Sequence, residues 1–493
     1  MELRSVRDTG VAREVIRLAA VMAAVTVARL VVAATVPLAP DETYYWVWSH
    51  ALAPGFLDHP PMVALWIKAG TTLFGQTPLG VRLLGPLSAA LASWFLFDAA
   101  RRLFPWQLAG PAAVLLLNAT LLLGVGTVVM TPDSPLLFFW TATLWAMVRL
   151  LGGGSAAWWL AAGLFAGLAL DSKYTGLFLC AGIGLWLLLV PSARLWLRRW
   201  QPWAAAGCGI ALFVPVLWWN AAHGWAGFVK QGDRVGDWQP IRAAGFLAEL
   251  VGGQIGLVTP WIWVLCMIGL VVAVSRSWTW REPRWSLLAA LSLPPVLVFL
   301  EHAVGDRVQG NWPAIIYPAL ALAAAGWLTP RRNTAWIGAS ALGFGITAIV
   351  YLQATLGLIP LPPRFDPIAL RLAGWGAFAR DVDAARVQAG AVYVAADGYA
   401  TDSELAWWLP ASVPVVGTDK RWALTDLPPA RIAGRSGLLL RDARRTGPPD
   451  PAIWQQAERI ATLSRPGAVA KFAVYRVTAD AAPPVAVALP RRS

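Results

Sequence analysis

Long apolar runs recur along the chain, at residues 18–36, 83–100, 112–130, 136–150, 158–170, 177–190, 204–219, 247–274, 287–300, 314–328 and 335–358. Short polar loops separate them. A helix needs roughly 20 apolar residues to cross a bilayer, and fewer when flanking side chains snorkel to the interface. The pattern therefore predicts about eleven transmembrane helices. The stretch from 40 to about 78 opens with acids and aromatics and is too polar for hydrocarbon in its first half. It predicts one or two helices lying along the interface. The rhythm changes beyond residue 359. Gly357 to Pro363 (GLIPLPP) bring helix breakers. Short runs at 391–395, 413–416, 437–440 and 472–477 then predict strands, and 375–389 and 403–409 predict helices. The expected architecture is mainly α: a membrane part over 1–360 and a small soluble α/β domain over 361–480. An Ala/Pro/Arg-rich ending, 481–493, is expected to be disordered.

Composition agrees with a membrane chain. Of 493 residues, 57% are hydrophobic and only 14% charged, too few charges for a soluble protein of this size. The net charge of +13 matters through its placement. Arg4, Arg7, Arg13 and Arg17 precede the first run. Arg101 and Arg102, then Arg194, Arg198 and Arg199, then Arg276, Arg281 and Arg284, then Arg331 and Arg332 follow even-numbered runs. With alternating helices all of these fall on one side, which the positive-inside rule makes the cytoplasm. The amino terminus is then inside and the soluble domain outside. The arginines form no continuous basic face, which argues against nucleic-acid binding. The first run is too long for a cleaved signal and lacks a small-residue cleavage site. Cys180, Cys208 and Cys266 sit inside runs without metal-ligand spacing and read as small buried hydrophobes.

Nearly every unusual polar group of the membrane part falls on the outer face, in the loops 40–61, 131–135 (TPDSP), 171–175 (DSKYT), 223–242 and 301–312. Asp41 and Glu42 stand before the aromatic run Tyr44, Tyr45, Trp46 and Trp48. Asp58 and His59 open a second element, Asp58-His59-Pro60-Pro61. Asp133, Lys173, Tyr174, Lys230, Arg234, Arg242, His302 and Asn311 occupy the later loops. Each has a plainer reading. Asp41 or Asp133 can cap a helix, His59 can be a structural hydrogen-bonder, Lys173 can snorkel, and Asn311 can cap the next span. Taken together, acids and cations on one face suit transfer of a group from a lipid phosphate. A carboxylate can accept a proton from a hydroxyl, and cations can neutralise the phosphate that leaves.

The pattern PDETYYWVWS, followed by GFLDHPPMVA and later TPDSP, resembles the polyprenyl-phosphate-sugar-dependent glycosyltransferases of the GT-C fold. The branch it resembles is the bacterial one akin to protein O-mannosyltransferases and the lipid A aminoarabinose transferase. The resemblance covers residues 1–360 and is strongest over 38–84. It implies an inverting transfer at the periplasmic face of a bacterial inner membrane. The donor would be a polyprenyl-phosphate-linked sugar, and the acceptor a hydroxyl of lipid A, a glycan, a lipid or a protein. It implies Asp41 as catalytic base and Glu42 as the residue that holds the acceptor or shapes the site. Asp133 would orient the site or a cation, and Lys173 and Tyr174 would contact the donor phosphate. Arg234 and His302 are further substrate-binding candidates, and Asp58 and His59 could hold the donor phosphate or sugar. The resemblance implies a metal-independent or only weakly metal-linked transfer, and a divalent cation near the outer acids is left open. The chain departs from the aminoarabinose enzyme in its span number and first-loop context. It also lacks the large inserted domain of the protein mannosyltransferases, so the donor sugar and acceptor do not carry over. Two alternatives stand beside this reading: a transporter or lipid flippase, and a non-catalytic envelope-assembly subunit. A transporter would place its ionisable groups near the midplane, in repeated halves with broken helices.

Overall fold

The computed structural model describes residues 2–236, 239–279, 282–331, 333–479 and 485–492, with backbone alone for 2–12, 233–236 and 279. The chain forms two compact units. One comprises Met1–Val32, Asp58–Val63 and Leu83–Tyr351, and the other Ala33–Leu57, Ala64–Arg82 and Leu352–Ser493.

The first unit is helical. Among the described residues, nine helices are long and apolar enough to cross a membrane, or ten if the pair Tyr174–Leu189 and Pro191–Arg198, bent by 101°, is one span. The expected eleven is not reproduced, for local reasons. The run 112–130 is divided into Ala109–Asn118 and Leu121–Gly126, because the Thr120 hydroxyl caps a new helix start at Leu123 N (3.1 Å). The run 247–274 departs in the other direction, giving two candidate spans, Pro240–Val258 and Pro260–Trp278, in place of one. Thr259 sits at φ +66° between them, and Pro260 begins the second helix with no N–H to give. The helix Ala243–Val258 keeps company with one loop at both of its ends. Gln239 N bonds Gly305 O (2.7 Å), and Gln254 Nε2 bonds Gly310 O (2.8 Å). Glycine allows the closest helix approach. A Cβ at Gly163, in Trp158–Leu170, would fall 2.2 Å from Ala205 O in Trp200–Ala222.

Arg29 lies buried in the first helix. Its guanidinium donates to Asn118 Oδ1 (3.0 Å) and Asn118 O (3.4 Å), at the end of Ala109–Asn118. Asn118 Nδ2 in turn donates to Ser93 Oγ (2.9 Å). A cation at this position is costly without such partners, and here it satisfies a carbonyl that a helix end would leave open.

The second unit centres on a six-stranded sheet. Its strands are β1 (Tyr393–Ala396), β2 (Val415–Gly417), β3 (Ser436–Asp442), β4 (Trp454–Arg465), β5 (Ala470–Ala479) and β6 (Val487–Ala488), in the order β4-β5-β3-β1-β2-β6. β1 pairs in parallel with β2 and β3, with Val394 opposite Val415 and Leu438, while the outer strands run antiparallel. One face buries Tyr393, Ala395, Val416, Leu439, Trp454 and Val477. The helices Trp375–Gln388 and Tyr399–Trp408 fall where the sequence expects them. β4 was not expected. Its sequence, WQQAERIATLSR, is polar and solvent-exposed along most of its length, as an edge strand can be.

The ending differs from the expected disordered tail over its described part, 485–492. β6 pairs with β2, and the Arg491 guanidinium donates to the carbonyls of Leu405 (3.0 Å), Ala406 (2.6 Å) and Leu409 (2.6 Å). Those are open carbonyls at the end of Tyr399–Trp408, and they hold the terminus in place. Against the expected domain limits of 361–480, this compact unit also takes in 33–57 and 64–82. Within it the helix Pro40–Trp48 packs on Tyr399–Trp408 through Trp46 against Trp407 (5.1 Å between ring centroids) and Tyr44 against Tyr399 (4.4 Å).

Candidate functional site

The residues singled out from the sequence fall in both units, Asp41 and Glu42 in one and Asp58, His59, Asp133, Lys173, Tyr174 and His302 in the other. In the sheet-containing unit the site begins with a helix start. Ala39 is the N-cap, Pro40 the first helical residue, and Glu42 the third, its Oε2 accepting from Ala39 N (2.8 Å). Asp41 is therefore not the capping residue that a plain reading makes it. Glu42 is fully buried and engaged on both oxygens. Arg82 Nε meets Oε1 at 2.7 Å and Arg82 Nη2 meets Oε2 at 2.6 Å. The same guanidinium also donates to Val36 O (2.6 Å), Pro37 O (2.8 Å) and Ala33 O (3.3 Å). This bidentate pair fixes the chain from 33 to 42 and shapes the ground on which Asp41 stands. Arg82 was missed in the sequence. The available signal was a lone arginine inside an otherwise apolar stretch.

Asp41 is half-buried. Tyr399 Oη lies 3.4 Å from its Oδ1, a long hydrogen bond. Burial lifts the Asp41 carboxyl above the usual carboxylate range. Arg371, the Tyr399 hydroxyl and Arg421 oppose that rise, and neighbouring Glu42 adds to it. A carboxylate with raised proton affinity is a better general base near neutral pH.

In the helical unit, Asp133 opens the helix Asp133–Leu151. Its Oδ1 accepts from Lys173 Nζ (2.7 Å) and its Oδ2 from Asn311 Nδ2 (2.6 Å). Lys173 is buried and extended (φ −161°), between the end of Trp158–Leu170 and the short turn Tyr174–Gly176. Asp171, two residues earlier, was not singled out. Its Oδ1 has no hydrogen-bond partner among the described residues, and burial pushes its carboxyl up to about 7. Its backbone O accepts from Met62 N (3.1 Å), tying the DHPP element to the DSKYT loop. Asp58 is buried, and its carbonyl accepts from Gln231 Nε2 (2.8 Å). His59 follows it, half-buried. Tyr174 Oη accepts from Asn220 Nδ2 (3.4 Å), and its ring lies 5.1 Å from that of Phe228. His302 faces the Trp312 ring at 5.6 Å. The structure thus joins Asp133, Lys173 and Asn311 directly, and links the 58–62 and 171–175 loops. The Arg234 side chain lies outside the described residues.

Among the described residues, no three or more His, Cys, Asp or Glu side chains are placed to hold a metal ion. The oxygens of Asp133 and Glu42 are already engaged by Lys173, Asn311 and Arg82.

Comparison with known proteins bears on the family and the fold. The family model of dolichyl-phosphate-mannose-protein mannosyltransferases matches residues 58–219. The lipid A galacturonosyltransferase RgtD of Rhizobium johnstonii is 29% identical over 443 residues, covering 85% of this chain and 89% of that protein. The undecaprenyl phosphate-alpha-4-amino-4-deoxy-L-arabinose arabinosyl transferase 2 of Pseudomonas fluorescens is 27% identical over 57% of this chain. The chain spans about half (53%) of that relative's length. The crystal structure of ArnT from Cupriavidus metallidurans, bound to undecaprenyl phosphate, superposes with a TM-score of 0.62 at 16% identity, covering 94% of this chain and 97% of that one. The chain is therefore a polytopic, membrane-embedded glycosyltransferase. More narrowly, its fold is the GT-C fold in the ArnT-like arrangement, carrying a small sheet domain at its carboxyl end. These relatives are transferases, and the transporter and assembly-subunit readings find no support among them.

Proposed function

We propose that this enzyme moves a sugar from a polyprenyl-phosphate carrier to a hydroxyl of lipid A or a related envelope glycolipid. The observation that carries the reading is the near full-length likeness to a lipid A galacturonosyltransferase. The site chemistry fits it. Asp41 takes the proton from the acceptor hydroxyl. The freed oxygen forms a bond to the anomeric carbon from the face opposite the carrier. The anomeric C–O bond breaks, its electron pair stays on the phosphate oxygen, and polyprenyl phosphate leaves. A single displacement inverts the configuration.

Lys173 is assigned to the leaving phosphate. Its ammonium has three donors, and Asp133 uses one of them at 2.7 Å. Tyr174, Asp58 and His59 are assigned to substrate binding by position in their loops, and Arg234 and His302 by position near the ends of the helices Ala226–Gly236 and Pro283–Gly305. Glu42, spent on Arg82, is assigned to shaping the site rather than to proton transfer. The chain sits in a bacterial inner membrane, with the amino terminus cytoplasmic and the sheet domain periplasmic.

The test is purified protein with undecaprenyl-phosphate-linked galacturonic acid, 4-amino-4-deoxyarabinose or mannose, together with lipid A. Release of undecaprenyl phosphate and a mass gain on lipid A are expected with at least one donor. General-base catalysis contributes about 10²–10⁴-fold, so Asp41→Asn should lose activity by that factor while inserting and folding normally. Near-normal turnover by that variant removes Asp41 from the base role. Absence of transfer from every donor removes the reading itself.

A further inference from the structure

The sheet domain touches the candidate base. β1 ends at Ala396, and the chain passes through Asp397 and Gly398 into the helix that starts at Tyr399. This is the carboxyl edge of the parallel strands, where open α/β sheets present ligand-facing residues. Tyr399 is held there from several sides. Its backbone N donates to Asp419 Oδ2 (3.3 Å), just after β2. Its ring packs against Tyr44 (4.4 Å), one turn along from Asp41, and Tyr44 in turn meets Trp422 (5.2 Å). The Arg421 guanidinium lies over the Tyr399 ring at 4.2 Å, within range of a cation–π attraction. Asp419 Oδ1 accepts from Arg421 N (2.9 Å) and so fixes the turn that carries this arginine. All these contacts bring the Tyr399 hydroxyl to Asp41 Oδ1 at 3.4 Å.

We propose that the sheet domain is a working part of the transfer site, with Tyr399 as the positioning residue of Asp41. The phenol donates to Oδ1 and leaves Oδ2 to accept the acceptor's proton. Arg421 holds the ring that carries the phenol. The inference rests on Asp41 being the base. A phenol is protonated at neutral pH and is a donor suited to an ionised carboxylate. Hydrogen bonds at catalytic groups are often long before substrate binds and tighten in the complex. The charged and titratable groups facing Asp41 are Arg371, Tyr399, Glu42 and Arg421. Loss of the Tyr399 hydroxyl removes one that favours the ionised form, so the Asp41 carboxyl should then titrate at higher pH.

Tyr399→Phe tests this, because it removes the hydroxyl and keeps the ring between Tyr44 and Arg421. The first readout needs no substrate. In the full-length purified protein, the carboxylic-acid infrared band that Asp41→Asn abolishes is followed against pH. Its midpoint is expected to rise in Tyr399→Phe by about half to one pH unit, as loss of a modest hydrogen bond to a charge implies. Arg421→Gln should move it the same way and serves where the first variant folds poorly. The second readout is turnover of whichever undecaprenyl-phosphate sugar the wild type uses. In Tyr399→Phe the acid limb of kcat/KM should move with the infrared midpoint. Its kcat should fall roughly tenfold with little change in donor KM. A midpoint that stays put in both variants overturns the proposal, whatever the activity. A midpoint that moves in a protein without transferase activity upholds the contact and refutes the transfer reading instead.

Discussion

Asp41 and Glu42 are adjacent in sequence, yet the structure gives them different surroundings. Glu42 is locked by Arg82 and the helix start. Asp41 accepts a long hydrogen bond from Tyr399 and has a raised proton affinity. The motif made both acids visible, but which one was engaged could not be read from it, because the partner Arg82 sits 40 residues away. Asp171 is a similar case, since its loop was noticed and its carboxyl was not. Its folded-state value of about 7 stands above the ordinary 3.8, so the folded protein holds that proton more tightly. This contribution to stability is complete below about pH 4 and is lost as the pH rises through about 7. Asp171→Asn does not titrate. Its stability relative to wild type should be flat below about pH 4 and should gain on the order of 4 kcal/mol by about pH 8. Thermal unfolding in detergent at several pH values measures this. A difference that does not vary with pH would contradict the burial argument.

At the scale of elements, hydrophobic runs located most helices, because length and apolarity are what a bilayer selects. They failed where a break is set by one residue. Thr120 ends one run by capping, and Thr259 with Pro260 ends another through backbone geometry. Neither leaves a mark in hydropathy. The strands were legible where both faces are covered, as in β1 and β3, and illegible in exposed β4. Helix contacts were not legible at all. The approach of Trp158–Leu170 to Trp200–Ala222 depends on Gly163, whose added Cβ would lie 2.2 Å from backbone oxygen. Backbone cannot yield as a flexible side chain can. Gly163→Val should therefore cost at least about 1–3 kcal/mol, seen as a lower unfolding midpoint in detergent. An unchanged midpoint would show that the two helices are free to separate.

For the whole molecule, the class of enzyme was legible from one motif and the sorting of polar loops. The composition of the second compact unit was not. Nothing in the sequence says that residues 33–57 and 64–82 belong with the sheet that begins at Tyr393, since chain separation hides such pairings. The arginine-rich loops make the orientation testable. Single cysteines at Arg101 and Arg198, in a background with Cys180, Cys208 and Cys266 replaced, should react only with membrane-permeant thiol reagents in intact cells. A cysteine at Arg459 in β4 should react with impermeant ones. Labelling of the first two by impermeant reagent would invert the assignment.

The hydrogen bond between Tyr399 and Asp41 joins residues 358 apart, and this separation sets a clock. At about 5–20 residues per second, synthesis takes on the order of 20–70 s to travel from one to the other. The Glu42–Arg82 pair, 40 residues apart, is complete within roughly 2–8 s by the same rate. The nascent protein therefore builds the support beneath its base early. It must then keep an aromatic helix from misassociating until the last fifth of the chain arrives. For most of its biosynthesis the enzyme is inserted and anchored, and still lacks the residue that aims its carboxylate.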